Sequence, residues 1–345
     1  MYIILILSFI LMMLMVPLIK KIAYKTNYID VPKGRKIHKK PIPLLGGLSI
    51  FLSFNIICLL FINNINLEFY NKVTLGSFLI LLLGLYDDKF DMRAILKLIC
   101  QVIIAFIVAY KLGGIDSIQI HNLVIDFNFL QGVLFQAIWI VVLLNAFNLI
   151  DGLDGLATGS SIIAISSILI VSLIRNDFSN ISLMLILIVI LLGFLIYNFP
   201  PASIFLGDCG SMLLGYYVAM FSFFSYKSVT VTSISFLILI AFLPLIDTIL
   251  AFIRRKINKV SPFKADALHM HHRLLRKGYN KKQSVLIIYG IMLFYSICSI
   301  IISFVNIFGK ILILISIIIF TIFVIEKFYL LSDKYSISKY IKRRK

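Results

Sequence analysis

In a chain of 345 residues, 61% hydrophobic residues and only 14% charged ones are incompatible with an ordinary soluble domain, where charges run to roughly a quarter of positions. Lys and Arg outnumber Asp and Glu by 33 to 15, a net charge of +18. Composition therefore excludes a soluble enzyme and points to an all-α polytopic integral membrane protein; the excess of base has a membrane explanation, and nothing in it calls for nucleic acid.

Apolar runs of roughly 17 residues or more, long enough to cross a bilayer as helices, occupy 2–19, 44–62, 95–112, 132–147, 182–198, 232–253, 284–305 and 309–327. Shorter or polar-flanked runs at 73–86, 156–174 and 210–226 bring the expected count to about eleven in a single domain, 1–345. The first run has no basic residue ahead of it and Lys20 and Lys21 directly after it. That order is the reverse of a cleaved signal peptide and predicts a retained helix with its start outside. Threading the chain from there puts 28 of the 33 Lys and Arg on the cytoplasmic side, with the C-terminus, and leaves only Lys72, Lys111, Arg175, Lys227 and Lys310 outside.

Between the first two helices lies Lys33-Gly34-Arg35-Lys36-Ile37-His38-Lys39-Lys40-Pro41-Ile42-Pro43. Bases at headgroup depth suit a lipid phosphate, with Lys36, His38, Lys39 and Lys40 as candidates; a positive-inside anchor is the plainer alternative. Asp87-Asp88-Lys89-Phe90-Asp91 follows, with Asp87 and Asp88 spaced from Asp91 so as to share a helical face. Clustered carboxylates repel unless a cation sits among them, and oxygen-only donors favour magnesium or manganese over zinc. A solvated turn beside Lys89 and Arg93 is the alternative. Residues 115–129 alternate apolar and polar around His121-Asn122, which predicts a small extracytoplasmic hairpin.

Asn145-Ala146-Phe147-Asn148-Leu149-Ile150-Asp151-Gly152-Leu153-Asp154-Gly155 places two amides and two carboxylates between one spanning run and the next. Polar groups at a membrane mouth are costly without a partner, so they read as a site in which amides hold a substrate and acids hold a metal or a proton. Gly207-Asp208-Cys209-Gly210-Ser211 stands at a helix start whose free N–H groups would suit phosphate, with Asp208 holding a bridging metal; an ordinary N-cap explains it equally well. Asp247, inside an apolar run, either lines the same cavity or pairs with a neighbouring helix. His269-Met270-His271-His272-Arg273 lies in the largest cytoplasmic loop, where a diphosphate cradle, a zinc site and a plain basic loop compete. The four cysteines are dispersed and suggest neither a disulfide framework nor a thiolate site.

Taken in order, these motifs resemble the polyprenyl-phosphate N-acetylhexosamine-1-phosphate transferases over most of the chain. The form of the His269-x-His271-His272-Arg273-Leu274 segment resembles the branch that uses UDP-N-acetylglucosamine; Ala267 departs from the basic residue expected ahead of the histidines. The resemblance implies transfer of N-acetylglucosamine-1-phosphate from UDP-N-acetylglucosamine to undecaprenyl phosphate at the cytoplasmic face of a bacterial plasma membrane. The product, undecaprenyl-diphospho-N-acetylglucosamine, would start a cell-envelope glycopolymer such as teichoic acid or O-antigen. It implies Mg2+ (or Mn2+) at Asp208 and Asp88, with Asp87, Asp88, Asp151 and Asp154 as catalytic acids. The UDP-sugar would meet Asn145, Asn148, Asp151, His269, His271, His272 and Arg273. A homodimer, a phospho-MurNAc-pentapeptide donor, a covalent aspartyl intermediate and, in another class, a secondary transporter are the alternatives.

Overall fold

A backbone surrounded by lipid has only itself to hydrogen-bond, so the apolar runs form helices. The computed structural model describes residues 1–31, 41–120, 123–224, 229–230, 242–257 and 269–328. In order they form α1 (Tyr2–Thr26), α2 (Gly46–Leu60), α3 (Leu67–Phe90), α4 (Ala94–Leu112), α5 (Phe129–Ile150), α6 (Leu156–Ile174), α7 (Ile181–Asn198), α8 (Gly207–Phe224), α9 (Phe242–Ile257), α10 (Met270–Arg276), α11 (Lys281–Ile302) and α12 (Ile307–Phe328). Among the described residues eight helices, α1, α3 to α7, α11 and α12, are long and apolar enough to cross a membrane. Helices α2, α8 and α9, of 15, 18 and 16 residues, fall on the expected runs at 44–62, 210–226 and 232–253 but are not among these eight, so the structure supports eight spans where about eleven were expected.

Several helix starts are written in the local sequence. Asn128 and Gln131 form a capping box at α5, Asn280 and Gln283 form another at α11, and the Asn66 side chain accepts the Phe69 N–H at α3. At the other end of α3, Asp91 takes the left-handed conformation (φ 51°) that ends the helix.

Helix α8 is the axis of the bundle. Its Tyr216, Tyr217 and Phe221 are fully buried, and it packs on α2, α3, α5 and α6. Outer helices invert the soluble pattern: Ile3 and Leu14 of α1, Ile103 of α4 and Ile319 of α12 are exposed, a surface suited to lipid. The bundle is tightened at the start of α8 by glycine. A Cβ on Gly47 would lie 2.4 Å from the Gly210 backbone, and one on Gly84 would lie 2.2 Å from Cys209 Cα, so α2 and α3 approach α8 to a distance no side chain permits.

The predicted hairpin is present as β3 (Ser117–Ile120) and β4 (Leu123–Asp126), antiparallel with Ser117 opposite Asp126. A short strand, β5 (Val229–Thr230), adds to β3 in parallel and was not marked by any alternation in the sequence. At the other end of the bundle β1 (Ile29–Asp30) pairs antiparallel with β2 (Ile42–Pro43). The Phe205 N–H donates to Pro43 O, and the Gly46 and Gly47 N–H groups donate to Phe205 O and Leu206 O. The connection between α1 and α2 is thereby sewn to the approach to α8.

Candidate active site

The C-terminal ends of α3 and α5, the N-terminus of α8 and the short helix α10 meet at one end of the bundle around a cavity of about 890 Å³. Seven carboxylates line it: Asp30, Asp87, Asp88, Asp91, Asp151, Asp154 and Asp208. The described bases on its wall are Lys281 and His272. So acidic a wall repels polyanions unless cations join them.

At its floor, Lys97 Nζ in the first turn of α4 lies 2.6 Å from Asp87 Oδ2 and 3.1 Å from Asp208 Oδ2, and it donates to Asn148 Oδ1 at 3.4 Å. The Met92 N–H donates to Asp87 Oδ1 at 2.8 Å. Asn148 Nδ2 donates to Asp208 Oδ1 at 2.6 Å and to Ser211 Oγ at 2.9 Å. Four segments far apart in the chain thus place two carboxylates and an amide oxygen around one ammonium.

Asp88, a candidate metal ligand in the sequence, is engaged in this structure as a helix cap. Its two oxygens accept the Asp208 N–H at 2.7 Å and the Cys209 N–H at 3.1 Å, which caps α8 from α3. Two of the free N–H groups expected at this helix start for phosphate are therefore occupied. The same cap explains Gly207: its φ is 75°, and a Cβ there would lie 2.8 Å from Asp88 Oδ2 and 2.4 Å from Leu44 O.

After α5 the chain turns through Asp151 to Gly155. Burial, and then the neighbouring Asp208, Asp88 and Asp154, pushes the Asp151 carboxyl well above the usual range. Asp154 pairs with Lys281 Nζ at 3.2 Å and accepts the Ala202 N–H at 3.3 Å. Tyr289 of α11 donates to Gly155 O at 2.5 Å, so the start of α11 is fastened to this turn.

The histidines divide between wall and backing. His272 faces the cavity. His269 Nδ1 is 2.9 Å from Asp247 Oδ2, and Asp247 Oδ1 accepts the Met270 N–H at 3.2 Å, so the acid within α9 holds the start of α10. His271 is buried in a stack with His269 and His272 and lies against Gly152, where a Cβ would come 2.0 Å from its Nε2. Burial, with the charge of His272 second, pushes the His271 imidazole down to about 3. Arg273 is buried behind them. Asn145 lies one turn deeper in α5 than Asn148 and donates to Gln101 Oε1 at 2.8 Å. Lys36, His38, Lys39 and Lys40 lie outside the described residues.

Lys97 and Lys281 went unread in the sequence. Each is a lysine at the edge of an apolar run, which a positive-inside pattern already explains; the trace left for Lys97 is its place inside the run rather than beyond it. As for metal, no three His, Cys, Asp or Glu side chains converge as a cage among the described residues. The donors at Lys97 are all oxygen and few. That suits a hard cation of the magnesium kind, which takes one or two carboxylates and completes its shell with water and substrate phosphate.

Residues 70–226 match the family model described as glycosyl transferase family 4. The chain is 37% identical over 98% of its length to a probable undecaprenyl-phosphate N-acetylglucosaminyl 1-phosphate transferase of Bacillus subtilis, covering 95% of that protein. It is 33% identical to an undecaprenyl-phosphate alpha-N-acetylglucosaminyl 1-phosphate transferase of Thermotoga maritima, over 78% of this chain and 81% of the other. To a decaprenyl-phosphate N-acetylglucosaminephosphotransferase of Mycobacterium tuberculosis it is 30% identical, over 82% and 78%.

Proposed function

From its place in the polyprenyl-phosphate N-acetylhexosamine-1-phosphate transferases, the family to which this chain belongs, we propose that it transfers N-acetylglucosamine-1-phosphate from UDP-N-acetylglucosamine to undecaprenyl phosphate. Transfer of a hexosamine-1-phosphate from a UDP-sugar to a polyprenyl phosphate is the activity of this membrane enzyme. The choice of N-acetylglucosamine rests on the names its relatives carry. The observation that carries the site is the convergence of Asp87, Asp208 and Asn148 on Lys97 at the floor of an acidic cavity.

An oxygen of the lipid phosphate attacks the sugar-proximal phosphorus; a new P–O bond forms, and the bond to UMP breaks with its electron pair leaving on UMP. Asp208 would hold Mg2+ or Mn2+, and such an ion would supply positive charge between two polyanions. Asp87 accepts the proton of a monoanionic lipid phosphate, and Lys97 sets a fixed positive charge beside both acids. Asp88 positions Asp208 by capping α8. Asp151, its carboxyl raised, donates a hydrogen bond to the donor's uridine or sugar, with Asp154 beside it. His272 and Lys281 face the diphosphate, and His269, His271 and Arg273 support His272 from behind. Lys36, His38, Lys39 and Lys40 receive the lipid phosphate; Asp30 and Val31, which lead into that segment, line the cavity. With eleven spanning helices, a count the charge pattern of the loops favours, the cavity lies at the cytoplasmic face, and the product starts an envelope glycopolymer.

The test is transfer of label from UDP-N-acetylglucosamine into chloroform-soluble lipid by purified protein and undecaprenyl phosphate. Metal-dependent label in lipid matched by UMP release is expected. Transfer from UDP-MurNAc-pentapeptide alone would overturn the donor, and sugar flux in proteoliposomes without product would overturn the reaction.

A further inference from the structure

The 151–155 turn between α5 and α6 has two sides. Asp151, Gly152, Leu153 and Asp154 line the active-site cavity, whereas Gly155 is buried behind that wall. The bonds within the turn are short in range: the Gly152 N–H donates to Ile150 O and the Leu156 N–H to Leu153 O. Gly155 has φ 76°, a left-handed conformation that glycine adopts freely. Where the turn stands relative to the cavity is set by what grips it from outside.

Helix α11 grips it from behind at two adjacent residues. Lys281 Nζ holds Asp154 at 3.2 Å, and Tyr289, about 12 Å further along α11 at the helical rise, donates to Gly155 O at 2.5 Å. Gly155 O also accepts the Gly159 N–H at 2.9 Å, so both of its lone pairs are used. To reach that oxygen the phenol crosses the first turn of α6 at Gly159, where a Cβ would lie 2.0 Å from the hydroxyl. The glycine thus leaves open the path that Tyr289 takes. Tyr289 is no part of the cavity wall, and Asp87, Lys97 and Asp208 at its floor belong to α3, α4 and α8, not to the two helices it joins.

We propose that Tyr289 is a positioning residue for the UDP-sugar: its hydroxyl holds the 151–155 turn so that Asp151 and Asp154 stand where the donor meets them, an assignment that rests on the donor role of those two acids in the proposed transfer. Its influence falls on donor affinity and spares both the lipid phosphate and the chemistry at Lys97.

Calorimetric binding of UDP-N-acetylglucosamine to the full chain in detergent, together with KM for the donor and for undecaprenyl phosphate, tests this. Tyr289→Phe keeps the ring and removes one hydroxyl. Donor Kd and KM should rise about three- to tenfold, the range of a single hydrogen bond, with kcat and the KM for undecaprenyl phosphate unchanged. Tyr295→Phe is the matched control, because its hydroxyl is bonded to Thr321 Oγ1 at 3.0 Å on the same helix and away from the turn. It should cost a similar amount of Tm and leave donor Kd unchanged. Wild-type donor affinity in Tyr289→Phe, or an equal loss of affinity in Tyr295→Phe, would overturn the proposal. A wild-type chain that binds no UDP-sugar would overturn the donor reading itself, and the proposal with it.

Discussion

Lys97 joins two carboxylates that the chain supplies from α3 and α8, and its removal separates charge from geometry. In Lys97→Met, Asp87 and Asp208 face each other across an apolar side chain, with repulsion that only a mobile cation can offset. We expect kcat to fall by about 100-fold or more, the loss typical of one preorganised electrostatic group, with the protein still folded. A wild-type kcat would remove Lys97 from the reaction centre. His271 makes a prediction about pH. Its folded pKa, near 3, lies below the ordinary 6.5, so the unfolded chain takes up the proton first as pH falls. The contribution is flat above 6.5 and turns destabilising between 6.5 and 3, by about 2 kcal/mol at pH 5. Between pH 7.5 and 5 the Tm of wild type should therefore drop further than that of His271→Gln; equal drops would mean that His271 is not held neutral.

At the scale of elements, the site is built by the approach of α2 and α3 to the start of α8. Gly84→Ala drives a methyl group into the Cys209 backbone, which cannot yield as a flexible side chain would. We expect misfolding or a large fall in Tm. Gly290→Ala in α11 meets nothing within 4 Å and should leave Tm unchanged or raise it by about 0.5–1 kcal/mol in stability. A Gly84→Ala protein as stable as Gly290→Ala would contradict the close packing. Much of this level could be read from sequence, because it is local: the apolar runs, the Asn caps and the 115–129 hairpin each depend on neighbouring residues. What could not be read depends on partners far away in the chain. The Gly207 to Ser211 turn read equally well as a phosphate site or an ordinary helix cap, and two of its N–H groups are taken by Asp88, 120 residues earlier. The His269 to Arg273 segment read as a diphosphate cradle, a zinc site or a plain basic loop, and most of it is held inside by Asp247 and Gly152. Lys97 differed from the other basic residues of the loops only in lying inside its apolar run, too small a mark to single it out.

For the whole molecule, base and acid are unevenly placed. Basic residues crowd the segments expected at the cytoplasm, and seven acids face one cavity, which the proposed topology sets at the same end. This arrangement draws anionic donor and lipid toward the mouth while leaving the floor in need of a cation. Topology is checked by cysteine labelling with a membrane-impermeant maleimide in a cysteine-free background. Ser179→Cys should react in intact cells and Lys282→Cys only after permeabilisation; the opposite pattern would invert the protein.

In the proposed mechanism Asp208 and its partners at Lys97 form the reaction centre of a metal-dependent sugar-phosphate transfer. The rate of lipid labelling from UDP-N-acetylglucosamine by wild type and Asp208→Asn, titrated with Mg2+ in parallel, tests this. A saturable magnesium requirement in wild type and loss of turnover in the variant at every concentration are expected. Wild-type rates from Asp208→Asn at ordinary magnesium would contradict it.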